Sequence, residues 1–209
     1  MNINSLARKR QLSRTLSDHL YEVVHGRVMR SGLRERLAAG SFDAVLEHHR
    51  SVVVLVEKRL YASAFALLRP MFDGCLTGLW VIYLATGSDL DLFTTCRKAP
   101  LKPSVTITRL IKNGMHSTEI LTTISKKWQA MSDFVHGGYS QIVRRNGEDW
   151  IGSNYAEAEI QEVLMLANWF ALLAAVELPQ LSSELSFFDD VVNIASWYNE
   201  NKCSLEQSP

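Results

Sequence analysis

Residues 61 to 86, YASAFALLRPMFDGCLTGLWVIYLAT, form a long apolar stretch that carries two opposite charges, Arg69 and Asp73, in its middle. Helical spacing places Tyr61, Phe65, Leu68, Phe72, Leu76, Leu79 and Tyr83 on one broad face, with Ala64, Leu67, Met71, Cys75 and Ile82 apolar on the neighbouring face. Little surface is left for water, so the stretch reads as the central helix of a bundle. Pro70 removes a backbone hydrogen bond and crowds the preceding turn, which predicts a kink or break over 66–69, while Gly74 and Gly78 admit a close neighbour beyond it. A charge inside such a helix must be paired. Arg69 and Asp73 stand at i and i+4, so either they neutralise each other as a structural pair or they belong to a polar site. If the pair is buried, loss of one member costs roughly 3 to 5 kcal/mol.

The rest of the chain is helical by the same criterion. Residues 4–30 carry Leu6, Leu12, Leu16, Leu20, Val23 and Val24 inward. A turn is expected around Gly32 and Gly40, with Ser41 capping a second helix whose inward positions are Phe42, Val45, Leu46, His49, Val52, Val53 and Val56. Ser88 opens a short helix, Pro100 and Pro103 mark a loop, and 104–113 form another short helix ended by Gly114. A helix from Ser117 places Ile120, Leu121, Ile124, Trp128, Met131, Phe134 and Val135 inward and runs into Ser132-Asp-Phe-Val-His-Gly-Gly-Tyr139. After the Asn146-Gly147 turn and a short extended piece over 150–155, residues 156–177 form a long core helix, with 61–86 and 156–178 at the centre of the bundle. A last amphipathic helix ends near Asn199. The expectation is one all-α domain over 1–200, a bundle of six to eight helices in an up-and-down, orthogonal or HEPN-like arrangement, and a disordered tail over 201–209.

With 47% hydrophobic residues in 209 and no Pro, Gly or Ser-rich linker, the chain can bury a single sizeable core. Three cysteines without CxxC spacing point to reduced thiols, and the expected location is the cytoplasm. The start of the sequence lacks the apolar core of a secretory signal, and the uncharged runs 74–86 and 163–176 fall short of the roughly 20 residues that span a bilayer, so no membrane insertion is expected. Net charge is zero, but residues 1 to 36 hold eight Lys or Arg and residues 148 to 190 hold nine acids and no base. These ends either complement each other within the fold or a dimer, or the basic segment faces nucleic acid.

SAFALLRPMFDGCLTGLW, then DFVHGGYSQIVRR, then IGSNYAEAEI resemble an uncharacterised bacterial family of helical proteins of unknown function, from about Leu46 to about Leu178. Its hallmark is Arg-Pro, an acidic residue and a Trp, later joined by His-Gly near a helix end. Arg69, Pro70, Asp73, Trp80, His136 and Gly137 fall on that pattern, with Asp73 where the family more often has the longer Glu. A more distant likeness is to HEPN domains, helical bundles of toxin and phage-defence systems, many of them metal-independent ribonucleases with an Arg-x4-6-His motif. Arg14 to His19 and Arg109 to His116 both have that spacing; with 14 arginines and six histidines, about one such match arises by chance.

Three functional readings follow. In the first, the chain is an interaction or regulatory protein, with a protein partner or a second copy of itself, in phage defence or toxin–antitoxin biology. In the second, Arg69, Asp73 and His136 meet as a ribonuclease centre: neutral His136 takes a 2′-hydroxyl proton, Arg69 stabilises the phosphorane charge and Asp73 orients one of them. Trp80, Gly137, Gly138, Gln141, Arg144 and Arg145 are the candidate binding residues, for a protein partner or for RNA, and neither cofactor nor metal is expected. The third is a di-metal bundle, since Glu22-Val-Val-His25 and Asp133-Phe-Val-His136 have acid-x-x-His spacing, with Asp73 and Glu57 as further carboxylates. His48 and His49 diverge by about 100° on a helix and cannot chelate together.

Overall fold

The computed structural model describes residues 4–95, 102–115, 122–123, 125–147 and 149–206. Among them the secondary structure is helical apart from two isolated bridges, Met29 with Ser182 and Asn146 with Ile151. The helices are α1 (Asn4–Val24), α2 (Leu33–Glu57), α3 (Tyr61–Tyr83), α4 (Gly87–Thr95), α5 (Pro103–Lys112), α6 (Trp128–Val135), α7 (Tyr139–Val143), α8 (Glu157–Glu177) and α9 (Ser186–Glu206), with a 3-10 turn over Pro179–Leu181. The fold is a single all-α domain. Nine helices have bounds among the described residues, more than the six to eight expected, because the segment read as one helix through Arg145 is broken at Gly137.

The centre is α3 packed along α2, with α8 against both and α1 and α9 closing the outside. Phe42, Phe72, Phe170 and Phe187 are wholly buried, each stabilising the fold by about 1.5 to 3 kcal/mol relative to exposure. Gly74 and Gly78 do admit a close neighbour: a Cβ on Gly78 would lie 2.5 Å from Cε1 of Phe42, and one on Gly74 2.7 Å from Cγ2 of Val45.

Several boundaries differ from the sequence reading. Gly40 and Ser41 lie inside α2, and the Ser41 hydroxyl donates to the Gly74 carbonyl on α3 at 2.9 Å instead of capping a helix. Tertiary burial of Ala38 and Phe42 carries the helix through the glycine. α3 is helical through Pro70 without interruption. α1 stops at Val24, just before Gly26 at φ +80°. α4 is capped by Thr86, whose backbone N–H and hydroxyl donate to Asp89 at 2.9 and 2.8 Å while the Asp89 N–H donates back to the hydroxyl at 3.2 Å. α9 continues through Glu206, so the expected tail over 201–209 is helical to that residue. Val135, read as inward, is exposed. The expectations for Cys96, Pro100, His116, Ser117, Ile120, Leu121 and Ile124 fall outside the described residues.

The basic first segment packs within the fold. Arg27 pairs with Glu184 at 2.8 Å and Asp190 at 2.6 Å, and Arg34 closes the end of α3 by donating to the Ala85 carbonyl at 2.6 Å. Two helical segments, Tyr61–Tyr83 and Glu157–Leu181, are long and apolar enough to cross a membrane. More than half of each apolar window is buried inside the bundle, as core helices are.

Candidate functional site

α6 meets α3 through an aromatic contact, Phe65 with Phe134 at 4.8 Å, joined by Tyr155 at 4.8 Å from Phe65. One turn further along α3, Arg69 faces the earlier residues of α6. Its Nε donates to Oδ2 of Asp73 at 2.7 Å, its Nη1 donates to the Ser132 hydroxyl, and its guanidinium lies 4.1 Å over the Trp128 ring. Ser132, itself buried, passes the hydrogen bond on to the Trp128 carbonyl at 3.0 Å. Ascending α3 therefore corresponds to descending α6, and the two helices run antiparallel. Arg69 fastens them together, with 18% of its side chain exposed, whereas Asp73 is 43% exposed and sits at the wet end of the pair. Such a pair is worth less than a fully buried one.

The antiparallel register decides what becomes of the proposed triad. From Arg69, Asp73 lies one turn towards the Trp128 end of α6, and His136 follows the opposite end. Asp73 thus holds Arg69, and His136 bonds to neither. His136 is exposed and its imidazole has no hydrogen-bond partner among the described residues; its backbone N–H donates to the Ser132 carbonyl at 3.0 Å.

The two glycines after it form a helix ending rather than an opening for a ligand. Gly137 is at φ +65°, and the Gly138 N–H donates to the Asp133 carbonyl at 2.7 Å, the long bond of a Schellman motif. A Cβ on Gly138 would lie 2.9 Å from Cα of Asp133, so the chain turns tightly against α6. The Asp133 carboxylate accepts from Ser140 at 3.1 Å and Gln129 at 3.2 Å, which ties α7 to α6.

Arg144 is equally committed. It donates to the Ser140 carbonyl at 2.7 Å and to Glu159 on α8 at 2.9 Å, and it lies 5.6 Å from the Phe134 ring centroid. The hydrogen bond that Arg144 donates to Glu159 holds the guanidinium above its usual range, and the same bond holds the Glu159 carboxyl below its own. Gln141 is half-buried and Arg145 exposed. Trp80 is in the core, edge-on to Phe93 at 5.7 Å.

The Arg14 to His19 match gathers no site: Arg14 donates to Glu57 at 2.7 Å while His19 packs edge-on to Trp197 at 4.7 Å; the second match ends at His116, which lies outside the described residues. His25 stacks on Tyr21, and among the described residues no three His, Cys, Asp or Glu side chains converge to hold a metal ion.

The chain belongs to the family of unknown function DUF6988. Its family model matches residues 42–202, a longer stretch than the 46–178 that carries the sequence resemblance. No curated protein and no solved structure matches the chain. The DUF6988 match begins at Phe42, so it includes most of α2 and leaves α1 outside.

A deeply buried polar network in the DUF6988 span lies elsewhere. His49 on α2 is 1% exposed and lies 2.8 Å from Oδ1 of Asn168 on α8, whose amide nitrogen donates to Ser13 on α1 at 2.9 Å and to the Tyr198 hydroxyl on α9 at 3.2 Å. Four helices share this network. Burial pushes the imidazole down to about pKa 4, against the smaller upward pull of Asn168, so it is neutral near pH 7. The sequence signal was Asn168, a polar residue inside the apolar run 163–176.

Proposed function

We propose that this DUF6988 chain is an interaction or regulatory protein of the bacterial cytoplasm that binds a protein partner, a second copy of itself included. The observation carrying the reading is the apolar surface of the segment 135–151. Tyr139 is 79% exposed and Ile151 88%, with Val135, Ile142 and Trp150 also exposed among them. Exposed apolar groups concentrated in one segment are the mark of an interaction surface. Beside it, the two arginines of the ribonuclease reading are already engaged, Arg69 by Asp73, Ser132 and Trp128 and Arg144 by Glu159 and Ser140, and neither bonds to the exposed His136. A setting in phage defence or toxin–antitoxin pairing is part of the proposal and is supported by the HEPN resemblance alone.

The test is sedimentation of the full chain, alone and with co-expressed neighbours, for wild type and a Tyr139→Asp, Ile151→Asp double variant, beside an RNA-cleavage assay. Wild type is expected to form a stoichiometric dimer or complex, the double variant to melt normally and lose it, and neither to cleave RNA. RNA cleavage by wild type that disappears in folded Arg69→Ala and His136→Ala proteins overturns the reading in favour of the ribonuclease.

A further inference from the structure

Between α7 and α8 the chain makes a short hairpin. The Gly147 N–H donates to the Trp150 carbonyl at 2.8 Å and the Gly152 N–H to the Arg145 carbonyl at 3.0 Å, on either side of the bridge between Asn146 and Ile151, and the Asn154 N–H ties the base to the Arg144 carbonyl at 2.9 Å. This pattern puts Arg145, Gly147, Trp150 and Gly152 on one face, Asn146 and Ile151 on the other, and Asp149 in the turn at the tip. The first face is built around the indole. A Cβ on Gly147 would run into the five-membered ring of Trp150 and one on Gly152 into its six-membered ring, so both glycines clear the backbone for the indole to lie across them. Its outer side stays open, with 54% of Trp150 exposed. A tryptophan held in place by the backbone and half open to water is the kind of anchor on which protein interfaces are centred.

The charges at the two ends of the hairpin say what covers it. Arg145 at the base and Asp149 at the tip are both exposed, and neither side chain has an ion-pair or hydrogen-bond partner among the described residues. A base at one end of an aromatic face and an acid at the other make that face complementary to itself. A second copy turned about a twofold axis brings the tip of one hairpin to the base of the other, so that each arginine meets an aspartate while the two indoles meet on the axis. A partner whose surface carries one sign of charge would match one end and be repelled at the other.

We propose that the Trp150 face of this hairpin is a twofold interface between two copies of the chain, with the hairpins antiparallel, Trp150 against the partner's Trp150 and Arg145 paired with the partner's Asp149. The inference rests on the reading of 135–151 as an interaction surface and names its occupant.

Full-length Arg145→Glu and Asp149→Arg proteins, each altered at one exposed position, are sedimented separately and as an equimolar mixture, with thermal melts to show that both fold. Wild type is expected to dimerise. Each variant alone should dimerise about tenfold more weakly or worse, because like charges then face each other across the axis. The mixture should recover the dimer, since the reversed charge of one variant meets the unaltered charge of the other at both ends. The proposal fails if wild type is monomeric at every concentration tested, if either variant alone dimerises like wild type, or if the mixture stays monomeric. A monomeric wild type that still forms a stoichiometric complex with a co-expressed neighbour, lost in the Tyr139→Asp, Ile151→Asp protein, overturns the second copy as occupant and leaves 135–151 an interaction surface; a wild type that forms neither dimer nor complex overturns both.

Discussion

Nε2 of His49 lies 2.8 Å from Oδ1 of Asn168, and this bond joins two residues 119 apart in the chain at a point where the core is polar across four helices. A neutral imidazole fits there and an imidazolium does not, because its charge would be buried without a counter-ion.

Acid sensitivity follows. The folded-state value of about 4 lies below the ordinary 6.5, so between those pH values the unfolded chain takes up a proton that the folded chain excludes. The contribution of neutral His49 is complete above about pH 6.5 and is lost as pH falls towards 4, amounting to about 3 kcal/mol over the window. Urea unfolding at pH 7.5 and pH 5, for wild type and His49→Gln, checks this. Wild type should lose the greater stability on acidification, and an equal loss in both proteins removes His49 as the cause.

Arg69 acts as a fastener, so its removal should be felt more than that of either other candidate. Arg69→Ala gives up the Ser132 hydrogen bond and the Trp128 contact as well as Asp73, and is expected to cost about 2 kcal/mol. Asp73→Ala should cost about 1 kcal/mol or less, since Ser132 and Trp128 still hold the guanidinium, and His136→Ala within about 0.5 kcal/mol. Thermal melts of the three proteins give the order. A His136→Ala protein less stable than Arg69→Ala would mean that the helix register described above is wrong.

Two helical glycines should respond to alanine with opposite signs. At Gly40 a Cβ meets nothing within 4 Å, so Gly40→Ala should stabilise by about 0.5 to 1 kcal/mol. At Gly78 the same atom falls 2.5 Å from the Phe42 ring, and Gly78→Ala should destabilise by about 1 to 3 kcal/mol. Chemical denaturation of the pair measures both, and a stabilised Gly78→Ala protein would show that α2 and α3 are not in close contact there.

Spacing along the chain was enough to establish the fold class, the central helix, the close approach at Gly74 and Gly78 and the core role of the 156–177 segment. All of these depend on spacing along one helix, where residues three and four apart share a face whatever packs against it. It also made Arg69 and Asp73 a pair, a local relation. What it could not supply was the other half of each polar contact. Ser132 and Trp128 reach Arg69, and Asn168 reaches His49, only because helices distant in the chain are packed side by side in a particular direction. That direction placed Asp73 and His136 to opposite sides of Arg69. It also buried Ala38 and Phe42 deeply enough to keep Gly40 helical, where local propensity alone suggested a turn. Packing across the bundle outweighs a glycine's preference of about 1 kcal/mol, and no pattern within a single segment records which side of the bundle its neighbour will come from.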